Sequence, residues 1–339
     1  MAGREGGDGV GEADGPTRRL SDLDEDELLA QVVPRFAAAS GPTPLMLLGP
    51  GDDAAVLAAP GGSVVATTDT MVRGRDWRDD WSGPGDVGAK VVAQNLADVA
   101  AMGARPTGIL VTLVADPGTE VAWVLAFTDA VARACADAGV AVLGGDLSSA
   151  GPGTLTVSVT ALGDLEGRDP VRRSGARPGD VVAVAGTLGL SDAGWRLLRE
   201  GRPEADPEAV AVHRRPRPPL TLGPAAAVAG ATAMLDVSDG LLRDGGRIGR
   251  AGGVVLDLDP APLAGDVARL APALGEQDAR RAVVEGGEEH SLLATFPTDT
   301  TLPEGFRTIG RVRPAGVDGP GVTVAGVHAH GGGWDHFRP

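Results

Sequence analysis

Apolar and polar positions along this chain change period several times, and each change marks an element. "DVGAKVVAQNLADVAAMG" (86–103) keeps its apolar residues at helical spacing and stops on Gly103. "EVAWVLAFTDAVARACADAG" (120–139) predicts a second, longer helix. Short β-branched or apolar runs predict strands at "SVVATTD" (63–69), "GILVTLVA" (108–115), "VAVLGGD" (140–146) and "TLTVSVTALG" (154–163). Upstream, Ser21 heads the acidic "SDLDEDELLAQVV", which suits a helix N-terminus. The linker-like "LEGRDPVRRSGARPGD" then separates a second unit. That unit reads as strand "VVAVAG" (181–186), a helix from Ser191, a Pro/Arg-rich loop near 214–219 and a helix at about 220–230. Strand "TAMLDV", a helix from Gly240, strand "GVVLDLD", strand "SLLATF" (291–296) and a looser end complete it. The expected division is a disordered tail at 1–19, an N-terminal domain at 20–165 and a C-terminal α/β domain at 166–339. Both units mix strands and helices on a similar scale. A duplicated α/β or α+β plan is compatible with this, without a clean sequence repeat.

Composition narrows the picture. The 339 residues are 42% hydrophobic, enough for two real cores. Aromatics are only 3% with no Tyr, so those cores must be largely Ala, Val and Leu. The net charge of −16 repels nucleic acid and anionic membrane, so neither is an expected partner. It also repels small anions, unless metal ions reverse the sign locally. The one cysteine, Cys135, cannot form an internal disulfide and lies in a helical pattern, so it reads as a small core residue in a reducing compartment. The first residues contain no apolar signal-peptide core, and "LTLGPAAAVAGATAML" is broken by Pro224. A cytoplasmic protein is expected.

The carboxylates carry the chemistry. "LLGPGDDAAVL" sets Asp52 and Asp53 side by side in an apolar stretch, either as a turn or as part of a cation site. Asp69, Asp146, Asp236 and Asp239 end apolar runs or open helices, where ligand sites gather in α/β proteins. Asp98 lies inside a mostly apolar helix. Each has a plainer role open to it: Asp239 as a helix cap, Asp146 as a turn anchor, Asp98 paired with Lys90 or Gln94 on its own helix face. Hard oxygen ligands suit Mg²⁺ with phosphates completing the coordination, whereas five His and one Cys show no zinc spacing. Glycine clusters in "GPGD", "GGD", "AGPG" and "EGGEE" let backbone amides approach a ligand. Walker A and G-x-S-x-G motifs are absent, and "AGTLGLSDAG" is not a G-x-G-x-x-G, which weakens a Rossmann reading. The residues alone lead to an acidic, Mg²⁺-using, phosphate-handling α/β protein.

"GPGDDAAV", "TTDTMV", "NLADVAAMGARP", "GGDLSS", "RRSGARPGD", "LDVSDGL", "EGGEE" and "WDHF" occur in one order over about residues 20–339. Together they resemble the thiamine-monophosphate kinases, of the superfamily that includes aminoimidazole ribonucleotide synthetase. The resemblance implies an α/β (α+β) two-domain fold whose N-terminal mixed sheets pair in a homodimer. It implies ATP-dependent, Mg²⁺-assisted conversion of thiamine monophosphate to thiamine diphosphate. The implied metal ligands are Asp53, Thr67, Thr68, Asp69, Asp98, Asp146, Asp236 and Asp239. The implied ATP contacts are Phe127, Gly145, Asp146, Arg173 and Ser238, and the implied substrate contacts are Asp76, Glu288 and Trp334. The chain departs from the family pattern in "VRGRDW", with Arg73 where Glu is common and Asp76 where His is common, and in "GGEEHS" for the usual "GGEDYE".

The acceptor would itself be a phosphate monoester with a second pKa of about 6, already a nucleophilic dianion at pH 7. That accords with a sequence offering no general base or covalent nucleophile. The rival readings are another ATP-using superfamily enzyme, such as aminoimidazole ribonucleotide synthetase, and a non-catalytic nucleotide-binding protein. "TTDTMV" and "WDHF" favour the kinase, and Cys135 sits in a helix, away from the termini where related enzymes carry a reactive Cys.

Overall fold

The computed structural model describes residues 17–39, 45–49 and 54–329. The tail before residue 17, the Asp52–Asp53 pair and Trp334 lie outside the described residues.

The first unit holds α1 (Glu25–Ala39), a hairpin of β1 (Met46–Leu48) and β2 (Val56–Leu57), then β3 (Val65–Val72), α2 (Pro84–Ala101), β4 (Arg105–Ala115), α3 (Val121–Ala138), β5 (Ala141–Ser149) and β6 (Leu155–Asp164). The cap of α1 is Asp24, three residues past the expected Ser21. Asp24 accepts from the Glu27 N–H (2.8 Å) while the Glu27 carboxylate accepts from the Asp24 N–H (3.1 Å), a reciprocal capping box. Strands β3–β6 form a four-stranded mixed sheet in the order β3-β6-β4-β5, with only β4 and β5 parallel. Alternation along β6 buries Leu155, Val157, Val159 and Ala161 beneath α2 and α3. Cys135 is fully buried in that core, which pushes its thiol up to about 12.

The second unit holds β7 (Val181–Ala185), α4 (Leu190–Arg199), α5 (Pro207–Arg214), α6 (Leu222–Val228), β8 (Ala233–Val237), α7 (Leu241–Gly252), β9 (Val254–Leu258), α8 (Pro260–Leu274), α9 (Glu276–Glu285), β10 (Ser291–Phe296), β11 (Phe306–Pro314), β12 (Gly321–Val324) and β13 (Val327–His328). Its seven-stranded sheet runs β13-β12-β9-β11-β7-β10-β8 and is antiparallel apart from β9 with β12. The stretch expected to be looser after residue 296 therefore contributes three strands, and α5 arises beside the Pro/Arg-rich loop. This sheet is covered twice. Val182, Val184, Leu235, Val237 and Leu293 join one cluster; Ala183, Ala185, Met234, Leu292, Ala294 and Phe296 join another on the opposite face. Strand number and order differ between the units, so the plan is not a simple duplication.

Helix α2 joins the two units. It packs on β3 and β6 of the first sheet and on β8 and β10 of the second. Ala101 at its end enters the cluster built from Met234 and Phe296. Close backbone approach makes this possible: a Cβ on Gly223 of α6 would stand 2.1 Å from the Ala100 carbonyl oxygen.

Candidate active site between the two units

A cavity of about 490 Å³ opens where α2 meets the second unit. Three segments bring functional side chains to it. From β3, Thr67 and Asp69 point toward α2: the Thr67 hydroxyl donates to Asp98 (2.8 Å), and the Asp69 N–H donates to Asn95 Oδ1 (3.0 Å). From α2 itself come Lys90, Gln94 and Asp98, at i, i+4 and i+8 on one face, spread over about 12 Å of helix axis. The third segment is the end of β8 with the loop before β10. Backbone bonds from Glu288 to Ser238 (2.9 Å) and from His290 to Val237 (3.1 Å) extend the β8–β10 pairing past both strands. Gly287 permits this approach, since a Cβ there would lie 2.1 Å from the Ser238 carbonyl oxygen. Glu288 (φ 64°) and His290 (φ 57°) hold left-handed backbone conformations that non-glycine residues seldom adopt, a form of strain that gathers at functional sites.

One end of this seam is acidic. Burial, then the nearby charges of Asp236 and Asp69, push the Asp98 carboxyl up to about 7. The three carboxylates thus feel one another across the two units. His290 Nδ1 lies 2.9 Å from Asp236, both buried; although burial disfavours its charge, Asp236 raises the imidazole above its ordinary range. Asp239 is held by Arg247 and does not cap α7. Asp244, inside α7, instead holds the loop before the helix, accepting from the N–H groups of Ser238 (3.0 Å), Asp239 (2.8 Å) and Gly240 (3.1 Å).

The other end mixes cations and rings. Lys90, only 5% exposed, reaches Glu288 at 3.1 Å rather than Asp98 on its own helix. Burial opposes ionisation of Glu288, yet the Lys90 ammonium beside it holds the carboxyl below its usual range. His213, 3.4 Å from Glu288, is pushed down to about 4 by burial and by Lys90, so it is neutral at pH 7. Asp76 lines the same cavity and fixes its own turn by accepting from the Val72 N–H (2.7 Å). Trp77, Trp81 and Trp195 complete the wall.

The expected site residues therefore divide. Asp69, Asp76, Ser238, Asp239 and Glu288 line the cavity, with Thr67, Asp98 and Asp236 bonded or electrostatically coupled to its acidic end. Thr68 and Asp146 lie instead on the opposite, uncovered face of the first sheet, where Thr68 donates to the Val159 carbonyl (3.0 Å) and Asp146 stands beside Thr112. Gly145 has a packing reason for being glycine: a Cβ would lie 1.8 Å from the Val111 carbonyl oxygen on β4. Phe127 is 2% exposed and stacks on Trp123 (5.5 Å) in the first core, away from the cavity. Arg173 sits in an exposed 3₁₀ turn (Arg173–Gly175) against α7. Asp53 and Trp334 fall outside the described residues.

Sequence reasoning named Lys90 only as a partner for Asp98 and passed over His213, His290, Trp81 and Trp195. One signal was available. Of the 30 cationic Lys and Arg side chains, Lys90 is the only lysine.

The AIR synthase related protein, N-terminal domain family matches residues 51–165. A thiamine-monophosphate kinase of Mycobacterium tuberculosis is 46% identical over 297 residues, 86% of each chain. One of Corynebacterium glutamicum is 38% identical over 312 residues, 88% of each. Among solved structures, thiamine-monophosphate kinase from Stenotrophomonas maltophilia K279a aligns with a TM-score of 0.76 at 32% identity, covering 88% of this chain and 97% of that one. AaThiL complexed with AMPPCP and TMP aligns at 0.74 and 29%, covering 95% and 100%. The hydrogenase maturation protein HypE in complex with ATP, at 0.63 and 17% identity over 86% and 87%, shares the fold. With a relative at that identity over most of its length, and the two-sheet architecture seen here, the chain belongs to the thiamine-monophosphate kinase family.

Proposed function

We propose that this protein transfers the γ-phosphoryl group of ATP directly to thiamine monophosphate, giving thiamine diphosphate. The observation that carries this reading is the polarity of the seam. Carboxylates from both units, Asp69, Asp98 and Asp236, meet at one end, and a lysine, a neutral histidine and tryptophans stand at the other. An acceptor with a phosphate at one end and a ring system at the other fits that polarity. Bringing two anionic phosphates together on a protein of charge −16 demands local cations.

The donor chemistry suits Mg²⁺. Among the described residues no group of three or more His, Cys, Asp or Glu is gathered tightly enough to hold a metal alone. Mg²⁺ characteristically takes one or two carboxylates and completes its shell with phosphates and water. Asp69, Asp98 and Asp236, with Asp239 and Asp53, are the residues that would hold several such ions. A bound divalent ion supplies charge neutralisation between donor and acceptor phosphates. The chain's own part is positioning: Thr67 orients Asp98, His290 orients Asp236, and Arg247 with Asp244 fixes the Ser238–Gly240 backbone. No protein nucleophile is required, because the acceptor arrives as a dianion. Cys135 is sealed in the core, and His213 is tied to Ser191 and Glu288.

The uncovered sheet face, with Val72 and Leu110 exposed among threonines, supports a homodimer paired through the first units. The acidic composition and lone buried thiol support a cytoplasmic location, and no described helix is long and apolar enough to cross a membrane. The deciding experiment follows ADP release with Mg·ATP, with and without thiamine monophosphate, and weighs the product by mass. Release dependent on the acceptor, an acceptor heavier by one phosphoryl group, and no covalently labelled protein are the expected results. Acceptor-independent release or a phosphoenzyme overturns the reading.

A further inference from the structure

The chain has only five tryptophans and no tyrosine, yet three tryptophans line this one cavity. Trp77 is buried and stacked toward Trp123, so it belongs to the first core. Trp81 and Trp195 differ, for both are half-buried and line the cavity, one from each unit. Trp81 belongs to the loop before α2 but rests on Leu197, Leu198 and Val210 of the second unit. Trp195 lies on α4, one turn before Arg199. Each ring already carries a planar cation on a face: the Arg78 guanidinium lies 4.3 Å from the Trp81 ring centroid, and that of Arg199 lies 4.4 Å from Trp195. Arg78 keeps its charge paired with Asp80 through two bonds (2.9 and 2.7 Å). Arg78 lines the cavity together with both rings, whereas Arg199 does not. An indole face that binds guanidinium is suited to other flat cations.

Building on the proposed acceptor, we propose that Trp81 and Trp195, one from each unit, form a cross-seam clamp. It selects the acceptor by its flat, positively charged heteroaromatic head, and Arg78 occupies the Trp81 face until that head displaces it. The phosphate then projects toward Asp69, Ser238 and Asp239 at the acidic end. The family's terminal Trp334 is not needed for this assignment.

The test uses the full chain with the variants Trp81→Leu, Trp195→Leu, their Phe counterparts, and Arg78→Ala. Each Leu variant is expected to raise KM for thiamine monophosphate at least tenfold, with a much smaller change in kcat and in KM for ATP. The Phe variants recover most of the loss, which a purely packing role at Leu197 would not require. Arg78→Ala leaves KM for the acceptor level or lowers it; a rise overturns the displacement. In parallel, thiamine without phosphate is titrated against intrinsic tryptophan fluorescence, beside the uncharged 4-methyl-5-thiazoleethanol. Quenching by thiamine but not by the neutral ring, weakened in both Leu variants, is the expected result. Leu variants with unchanged acceptor KM, or equal quenching by the two probes, overturn the clamp. Failure of the wild-type protein to phosphorylate thiamine monophosphate overturns the proposed function instead, and the fluorescence titration then still decides whether the rings bind a flat cation.

Discussion

The two sheets of this protein solve the same packing problem differently. In the seven-stranded sheet every residue of β10, Ser291–Phe296, is buried, because helices or clustered side chains lie against both faces. In the four-stranded sheet β3 alternates, with Thr67, Asp69 and Met71 toward α2 and Thr68, Thr70 and Val72 left open. A strand buried on both sides has no face to offer a ligand, so the second sheet can contribute only from strand ends and the loop at 286–290, while its helices add His213 and Trp195. A strand covered on one side can place polar groups along its length. The site arises where the end of the first kind meets the side of the second, with α2 as the shared wall.

The largest expected effect probes that junction. Asp69→Asn or Asp98→Asn should lower kcat by three orders of magnitude or more while leaving circular dichroism and thermal unfolding close to wild type. Near-normal turnover in either variant would mean that the seam is not where transfer occurs. The next test sets one sheet against the other. Leu293→Ala, fully buried in β10, should cost about 2–5 kcal/mol in urea unfolding. Leu110→Ser, 39% exposed on the open face, should cost no more than about 0.5 kcal/mol to the isolated chain but shift sedimentation toward monomer. Equal costs in dilute protein would erase the distinction between the sheets.

A further test is a pH dependence placed in the seam itself. His213 is depressed to about 4 by burial and by Lys90, against the opposing pull of Glu288, with Arg214 a further neighbouring charge. Its unfolded value is about 6.5, so the unfolded chain binds the extra proton first as pH falls through the window from about 6.5 to 4. Stability should therefore drop with acid, by on the order of 3 kcal/mol at pH 4 from this group. His213→Gln should flatten the stability profile in that window, as read by denaturant midpoints at several pH values. An unchanged slope would remove His213 as the source.

The sequence alone determined the elements with a strong period. The strand "SLLATF" matches β10 end to end, and the two long helices match α2 and α3 within two residues. It also marked Asp69, Asp98, Asp236 and Asp239 as carboxylates closing apolar runs or set in an apolar helix, although β3 continues to Val72 and so holds Asp69 inside the strand, not at its end. Local pattern carried no information about contacts between segments distant in the chain. Lys90 and Asp98 share a helix face, and only packing across the seam shows that Lys90 meets Glu288 while Asp98 meets Thr67. Asp239 in "VSDGLL" reads as a cap for α7, yet in the fold Arg247 holds it and Asp244 braces the preceding loop. The reason is physical: a residue's period is set within a few positions, whereas charge neutralisation and ring stacking depend on whichever groups the folded chain brings within a few ångströms.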